Sequence, residues 1–256
     1  MSEMKVQSLD RAFDILDILA REAGGLGLAE VARLADLPRS TVFRLLAVLQ
    51  QREFARKAED TGKYRLGPGF IELGSIYLNS LELKTESAPS MKELASSLGT
   101  IVFLACRQGS HMVYIDRYDR FASLRKYAII GQQKPLYCTA LGKALMMGLG
   151  DEEIALLHAG NPFGLFGPNT HRNVESLLDD MRVCRVRGWS RDDQEAEAGV
   201  NCVAAPIRDY RGQVISAIST SWSLEIRPEL EPGRVAVHVM QAAEAISGSM
   251  GFSRTR

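Results

Sequence analysis

Cysteine and histidine are scarce in this sequence, and neither type occurs in closely spaced pairs. The four cysteines form no CxxC motif: Cys106, Cys138, Cys184 and Cys202. The four histidines lack the spacing of a metal-binding helix: His111, His158, His171 and His238. These absences argue against a zinc module and against a thioredoxin-type redox motif. We therefore predict reduced thiols, no metal and no cofactor.

Long apolar runs and an excess of one charge are also missing. No stretch approaches the roughly 18 apolar residues of a membrane span, and the start, MSEMKVQSLD, lacks the basic and apolar regions of a secretory signal. We predict a cytoplasmic protein with no membrane partner. A formal net charge of +0 excludes a chain coated in basic residues but leaves room for a local basic patch. With 256 residues, two domains are expected.

The N-terminal region carries the apolar pattern of three short helices. The first is predicted to begin at Ser8 as its N-cap, and its apolar positions recur at helical spacing: Leu9, Phe13, Leu16 and Leu19 or Ala20. After the glycine-rich break at residues 21–27, a second helix is predicted with three inward residues: Val31, Leu34 and Ala35. Pro38 suits the first turn of a third helix, where Ser40 or Thr41 can satisfy free backbone N–H groups.

The third helix, in LPRSTVFRLLAVLQ, has two different faces. Helical spacing places four apolar side chains on one stripe: Val42, Leu45, Leu46 and Leu49. The opposite face carries Ser40, Phe43, Arg44, Ala47 and Gln51. In the major groove Arg can pair with guanine, Gln with adenine and Ser with either base. Phe43 fits two interpretations equally: contact with a thymine methyl or sugar, or packing on the first helix.

A two-stranded wing is predicted after the third helix. Phe54 begins one extended run, Tyr64 and Leu66 mark another, and residues 59–62 form the turn between them. A merely solvated helix face is the alternative, but the tight turn, the wing and the local basic charge favour a winged helix-turn-helix that binds double-stranded DNA. The predicted DNA-binding residues are Arg39, Ser40, Thr41, Phe43, Arg44, Arg52, Arg56, Lys57 and Lys63, the cations beside the wing contacting phosphates.

The rest of the chain predicts a linker helix and a second domain. The helix over residues 68–84 is apolar around most of its circumference, so we expect it to link two domains and to pack against a second subunit. Strands are predicted at residues 100–108, 111–119 and 123–131, helices at 138–149, 151–159 and 171–188, a hairpin at 200–222 and a helix from Gly233 to Met250. This order indicates an α+β fold with a mainly antiparallel sheet. The predicted domains are therefore residues 5–67, 68–84 and 85–254.

Five blocks resemble the IclR-type bacterial transcription regulators in order and spacing: SLDRAFDILDILA, LAEVARLADLPRSTVFRLLAVLQ, KYRLGPGFIELG, PLYCTALGKALM and RGWSRDDQEAEAGVNCVAAPIRD. The resemblance runs from about Lys5 to Phe252. It implies an N-terminal winged helix-turn-helix, a linker helix and a GAF-like effector-binding domain. It also implies a regulator without catalytic residues, commonly a repressor, that forms a homodimer or tetramer on a palindromic operator.

The same resemblance implies that a small effector binds beside the TALGKA and DD…C blocks. Carried over by position, it nominates Ala140, Leu141, Asp192, Val200, Cys202, Ser219 and Ser221, with Lys126 added. Residues 139–142 look like a helix N-terminus, whose free N–H groups can hold a carboxylate. Asp192 would hold a ligand hydroxyl or neighbouring N–H groups, but a capped turn for Asp192 and a packing role for Cys202 are the alternatives.

The nature of the acid is left open by the sequence. Lys126 and Lys134 stand where some family members carry apolar pocket residues, and a lysine facing inward would favour a larger, more polar anion. The stretch KPLYCTALGKAL is similar to the branch that senses 2-keto-3-deoxy sugar acids, whereas other branches sense aromatic acids or small keto acids. We expect control of catabolic genes by such an acid.

Two other functions compete with this one. Asp192, Asp193 and Glu195 with Cys202 could form an enzyme site for a small carboxylate, although the sequence has no nucleophile elbow, P-loop or metal spacing. Alternatively, the C-terminal domain could serve only in oligomerisation.

Overall fold

The computed structural model describes residues 6–73, 82–119, 130–160 and 162–253. The chain divides into two compact units, Met1–Ser80 and Leu81–Arg256. Within the described ranges, no helix has the length and apolar character needed to cross a membrane.

The N-terminal unit is a winged helix-turn-helix, as predicted. Its helices are α1 (Gln7–Ala20), α2 (Leu28–Leu34) and α3 (Arg39–Gln51). They are followed by an antiparallel hairpin of β1 (Ala55–Lys57) and β2 (Tyr64–Leu66), in which Arg56 is paired with Arg65.

The core of this unit confirms the predicted inner stripe of α3, whereas for α1 and α2 it confirms Leu19 and Val31 and corrects other positions. Val42, Leu46 and Leu49 of α3 are buried. In α1, however, the predicted Leu9 and Phe13 are 54% and 58% exposed, and the stripe that packs inward is shifted. The buried positions of α1 and α2 are Ile15, Leu19, Val31 and Ala32, while Leu34 is exposed. Both helices carry apolar residues on two sides, so the position of their neighbours, rather than periodicity, selects the buried side.

The predicted helix starts also need correction. Helix α1 begins at Gln7 after Val6, so Ser8 lies inside the first turn and does not cap it. Helix α3 follows Pro38 as its N-cap, and no side chain caps this helix end. Pro38 therefore sets the entry angle of the chain into α3 without occupying its first turn.

Beyond the wing, the described part of the predicted linker helix is short. Residues 69–73 are helical, and Phe70 packs its ring edge-on against Phe54 with centroids 4.9 Å apart. The predicted positions Tyr77 and Leu81 lie outside the described residues.

The C-terminal unit confirms the predicted α+β class. It begins with α4 (Glu82–Leu98) and forms one six-stranded antiparallel sheet in the order β5-β4-β3-β8-β7-β6. The strands are β3 (Ile101–Gln108), β4 (His111–Tyr118), β5 (Gln133–Pro135), β6 (Ser190–Asp193), β7 (Val200–Arg208) and β8 (Val214–Ser223). The helices are α5 (Ala140–Met146), α6 (Asp151–His158), α7 (Val174–Arg187) and α8 (Pro232–Ser249).

Both faces of this sheet are covered. Alternate residues of β3 belong to the core cluster that includes α5: Ile101, Phe103 and Ala105. The intervening Val102 and Leu104 are buried as well, and because side chains alternate along a strand, they cover the other face. Helix α8 contacts β7, β8 and α4.

Several elements of this unit were not indicated by the sequence pattern. Helix α4 continues to Leu98 through Pro89, because Met91, Leu94 and Ala95 are buried in the packed unit. Strands β5 and β6 are too short for a period-2 pattern to be visible. The predicted strand at residues 123–131 lies mostly outside the described residues, and Ile130 and Gly131 form a turn.

Candidate DNA-binding surface and effector pocket

The outer face of α3 is free in the N-terminal unit, as predicted. Ser40, Arg44, Ala47 and Gln51 are exposed, Thr41 is partly buried, and Phe43 is 54% exposed and lies outside the core cluster of this unit. A shallow groove of about 300 Å³ between α1 and α3 is lined in part by Arg11, Thr41 and Arg44. A helix with this composition has the hydrogen-bonding groups that read base edges.

The predicted DNA-binding cations border the same helix. Arg39 and Arg52 are exposed at its two ends, and Arg56 and Lys57 are exposed on β1. Lys57 places its ammonium 5.5 Å from the centre of the Tyr64 ring, and Lys63 is half-buried in the wing. The unit therefore presents cations on both sides of the outer face of α3, which suits a polyanionic backbone.

In the C-terminal unit, one pocket collects every predicted effector residue that is described. Ala140, Leu141, Asp192, Val200, Cys202, Ser219 and Ser221 all line it. The pocket is completed by Phe103, Tyr114, Lys134, Thr139, Ala196 and Glu197. Lys126 lies outside the described residues.

Strand register explains why distant residues meet here. Asp192 of β6 lies directly opposite Cys202 of β7, and Cys202 lies opposite Ser221 of β8. Ser219 in turn lies opposite Phe103 of β3. Paired residues share a face of the sheet. Residues separated by up to 118 positions therefore line the same side of the pocket.

The N-terminus of α5 lies over this side of the sheet, and its conformation is fixed by local contacts. The Thr139 hydroxyl accepts a hydrogen bond from the Gly142 N–H at 2.9 Å. A Cβ atom at Gly142 would lie only 2.1 Å from the Leu136 carbonyl oxygen, so only glycine fits there. The Gly142 N–H is already satisfied by its bond to Thr139. Of the backbone N–H groups predicted to hold a carboxylate at residues 139–142, those of Ala140 and Leu141 are left for this role.

Asp192 is a buried carboxyl group on the pocket wall. Its Oδ1 accepts hydrogen bonds from the Glu195 N–H at 2.7 Å and the Ala196 N–H at 3.3 Å. These bonds match one predicted role of Asp192, holding neighbouring N–H groups, and they equally match the capped turn given as the alternative. Burial, reinforced by the nearby Glu195 carboxylate, raises its pKa to about 7. The group is therefore partly protonated near neutral pH, when it can donate a hydrogen bond to a ligand anion.

The thiols of the pocket region are held in the neutral form. Ser221 donates its hydroxyl proton to Cys202 Sγ at 2.9 Å. Burial raises the pKa of Cys202 well above its usual value and that of Cys138 to about 12. A nucleophilic cysteine needs a lowered pKa, so this environment is the opposite of an enzyme thiol site.

A buried ion network behind the pocket was missed by sequence analysis. Lys143 of α5 is fully buried and donates hydrogen bonds to Asp180 at 2.6 Å and to Glu195 at 2.5 Å. Burial alone would lower the pKa of Lys143, but the two carboxylates raise it, so the ammonium is retained. Glu195, which the enzyme alternative placed with Cys202, is engaged with Lys143 and does not line the pocket. An isolated lysine in an apolar helix run was the only sequence signal.

Two family models match the chain. The IclR helix-turn-helix domain matches residues 8–59, and the model described as bacterial transcriptional regulator IclR C-terminal matches residues 75–248. The chain belongs to the IclR family.

Relatives within the IclR family support the assignment over nearly the whole length. The HTH-type transcriptional regulator XynR of Escherichia coli K12 is 30% identical over 247 residues, which cover 96% of this chain and 98% of XynR. The HTH-type transcriptional repressor AllR of the same strain is 31% identical over 221 residues, 86% of this chain and 82% of AllR. Because such relatives are transcriptional regulators and not enzymes, the enzyme alternative is set aside.

The fold is also that of solved IclR structures. The crystal structure of an IclR homolog from Microbacterium hydrocarbonoxydans complexed with 4-hydroxybenzoate superposes with a TM-score of 0.80. It is 21% identical and the match covers 95% of this chain and 99% of that one. At this identity the likeness speaks for the fold alone.

Proposed function

We propose that this protein is a repressor of catabolic genes that binds a palindromic operator as a homodimer or tetramer and responds to a small, hydroxylated organic acid. The observation that carries the proposal is the convergence of the predicted effector residues on one pocket. The pocket lies in the C-terminal unit, whereas the exposed, basic helix α3 lies in the N-terminal unit.

The DNA side of the proposal rests on α3 and the wing. Arg44 lies on the exposed face of α3 beside Ser40 and Ala47, where a bidentate bond to guanine is possible. Lys57 projects from the wing, where a phosphate contact adds affinity without reading sequence. The named repressor AllR supports repression over activation.

The ligand side rests on the mixture of groups that line the pocket. Lys134 offers a positive charge, Ser219 and Ser221 offer hydroxyls, and Phe103 and Tyr114 offer aromatic surface. An acid with several hydroxyl groups matches this set, because each polar group then finds a partner. The Microbacterium homolog, which shares the fold, binds 4-hydroxybenzoate, and a carboxylate ligand here is consistent with that; aromatic acids are therefore tested beside sugar acids.

Binding must widen this pocket. Its interior volume is about 30 Å³, which is room for a water molecule but not for an organic acid. Ala196 and Glu197 line the pocket from the loop between β6 and β7, and Glu197 and Ala198 in that loop are exposed. We infer that this loop moves when the acid enters.

The test is operator binding by the full-length protein, measured by fluorescence anisotropy on the DNA upstream of its own gene. A random fragment of equal length is the competitor, and sugar acids, hydroxylated aromatic acids and small keto acids are added in turn. We expect preference for the upstream fragment and release by one class of acid. Arg44→Ala should cost about 1 to 3 kcal/mol on the upstream fragment only, while Arg234→Ala, which removes an exposed arginine of α8, is the matched control.

Three results would contradict separate parts of this proposal. Equal affinity for both fragments, or equal losses on both with Arg44→Ala, would remove base reading by α3. A melting temperature that no acid changes would indicate a C-terminal unit that only oligomerises, since ligand at 100 times its dissociation constant stabilises by about 2.7 kcal/mol.

A further inference from the structure

Three side chains that can bind a metal ion meet outside the effector pocket. His171 precedes α7, Asp180 lies on α7, and Glu195 follows β6. One ligand atom from each lies within 4.8 Å of the others. None of the three lines the effector pocket, so the cluster is separate from the site proposed above.

Lys143 satisfies only part of the negative charge in this cluster. Its ammonium bonds Asp180 Oδ2 and Glu195 Oε1. One ammonium against two carboxylates leaves one negative charge uncompensated in a setting where the Glu195 side chain is only 8% exposed. A buried charge of this kind requires a partner.

The hydrogen bonds of His171 indicate which ring nitrogen is available to a metal ion. Ser176 donates its only hydroxyl proton to the Asn173 carbonyl oxygen at 3.0 Å. It can then only accept in its 3.3 Å contact with His171 Nδ1, so Nδ1 carries a proton. A metal ion would therefore bind the other ring nitrogen, Nε2, and the fixed Nδ1–H is the outer contact typical of a metal-binding histidine.

His171 Nε2 faces carboxylate oxygens. His171 Nε2 lies 3.5 Å from Asp180 Oδ2 and 3.6 Å from Glu195 Oε2. Neither His171 Nε2 nor Glu195 Oε2 has a hydrogen-bond partner among the residues that the structure describes. The separations exceed the roughly 2.7–2.9 Å of a charge-assisted hydrogen bond. They match the roughly 3.4 Å between neighbouring ligands of a tetrahedral ion with bonds of about 2.1 Å.

We propose that His171, Asp180 and Glu195 bind a divalent transition metal ion. Zn²⁺ is the best fit, because it accepts imidazole and carboxylate ligands and leaves a fourth position for a water molecule, which as hydroxide would bring the net charge of the site, with Lys143, to zero. Asp180 is 26% exposed at its side chain and provides access from solvent. The ion would tie α7 to the segment after β6, and the proposal departs from our sequence-based expectation of no metal.

The test is Zn²⁺ binding to the chelator-treated full-length protein by calorimetry, with Co²⁺ absorption to report the ligands. We expect one ion per chain and a melting temperature about 5 to 10 °C higher at 100 times the dissociation constant. His171→Ala should abolish this binding because it removes the imidazole ligand. The fold should be preserved, since Lys143 still holds both carboxylates. His111→Ala, which removes an exposed histidine that also contacts a serine, should bind as the parent does.

A second variant tests the orientation of the ring. Ser176→Ala removes the contact to Nδ1 and should weaken Zn²⁺ binding by about 10-fold to 100-fold. The proposal is overturned if no ion binds, and nitrogen NMR that then finds His171 protonated on Nε2 at neutral pH would show that a proton supplies the missing charge. It is also overturned if His171→Ala binds Zn²⁺ unchanged or if Co²⁺ shows thiolate absorption, which would place the ion on cysteines.

Discussion

Asp192→Asn removes the buried carboxyl group of the effector pocket while preserving its shape. The asparagine Oδ1 can still accept the two hydrogen bonds that Asp192 receives from the Glu195 and Ala196 N–H groups. The variant therefore changes charge and titration but not packing. It tests whether burial of this carboxylate makes the stability of the C-terminal unit depend on pH.

The magnitude follows from the pKa of Asp192. Its pKa is about 7 in the folded protein against an ordinary value of 3.8. Between these values the folded state binds the proton and the unfolded state does not, so the free energy of unfolding falls as pH rises. Each pH unit corresponds to about 1.4 kcal/mol, so from about pH 5.5 to 8 the parent should lose roughly 2 kcal/mol through this group.

Tryptophan fluorescence makes the measurement specific to the C-terminal unit. The chain has two tryptophans, Trp189 and Trp222, and both belong to the C-terminal unit. Urea unfolding followed by their emission should show a steeper fall in stability with pH for the parent than for Asp192→Asn. Parallel pH profiles for the two proteins would refute the reasoning, because they would mean that Asp192 titrates at its ordinary pKa.

Three further variants test other parts of the molecule. Lys57→Ala should weaken binding to all DNA sequences alike and lower the slope of log affinity against log salt by about one; an unchanged slope in anisotropy titrations would remove Lys57 from the phosphate contacts. Ser221→Ala should reduce the calorimetric affinity for the acid while leaving operator binding intact, whereas Ser223→Ala on the same strand but outside the pocket should not. Gly142→Ala forces a Cβ against the Leu136 carbonyl oxygen and should destabilise the C-terminal unit by about 1 to 3 kcal/mol in urea unfolding. Equal stability of variant and parent would show that the turn before α5 can shift.

Local pattern was sufficient to predict the two faces of α3. Val42 and Leu46 are buried and Arg44 is exposed as helical spacing indicates, because an amphipathic helix with one apolar stripe has a single way to pack. The same rule failed for α1, where Phe13 is exposed and Ile15 is buried. With apolar residues on two sides, α1 has two possible inner faces, and only its neighbours distinguish them.

The pocket shows the same division between local pattern and packing. Family motifs nominated Asp192, Cys202 and Ser221 one by one, but their meeting in one row depends on the register of three strands. The Gly142 N–H was expected to be free for a ligand and is instead bonded to Thr139. A side chain that satisfies a neighbouring backbone group cannot be anticipated from the presence of a helix start alone.

The amino-acid sequence by itself determined the family, the fold class and the recognition helix, because these depend on periodicity and on residue types at short separations. Only the tertiary structure decided that Lys143, a polar residue in an apolar helix, lies fully buried between Asp180 and Glu195, with His171 beside them. These four residues are up to 52 positions apart, and charge compensation between them depends on distances of a few ångströms that no spacing along the chain specifies.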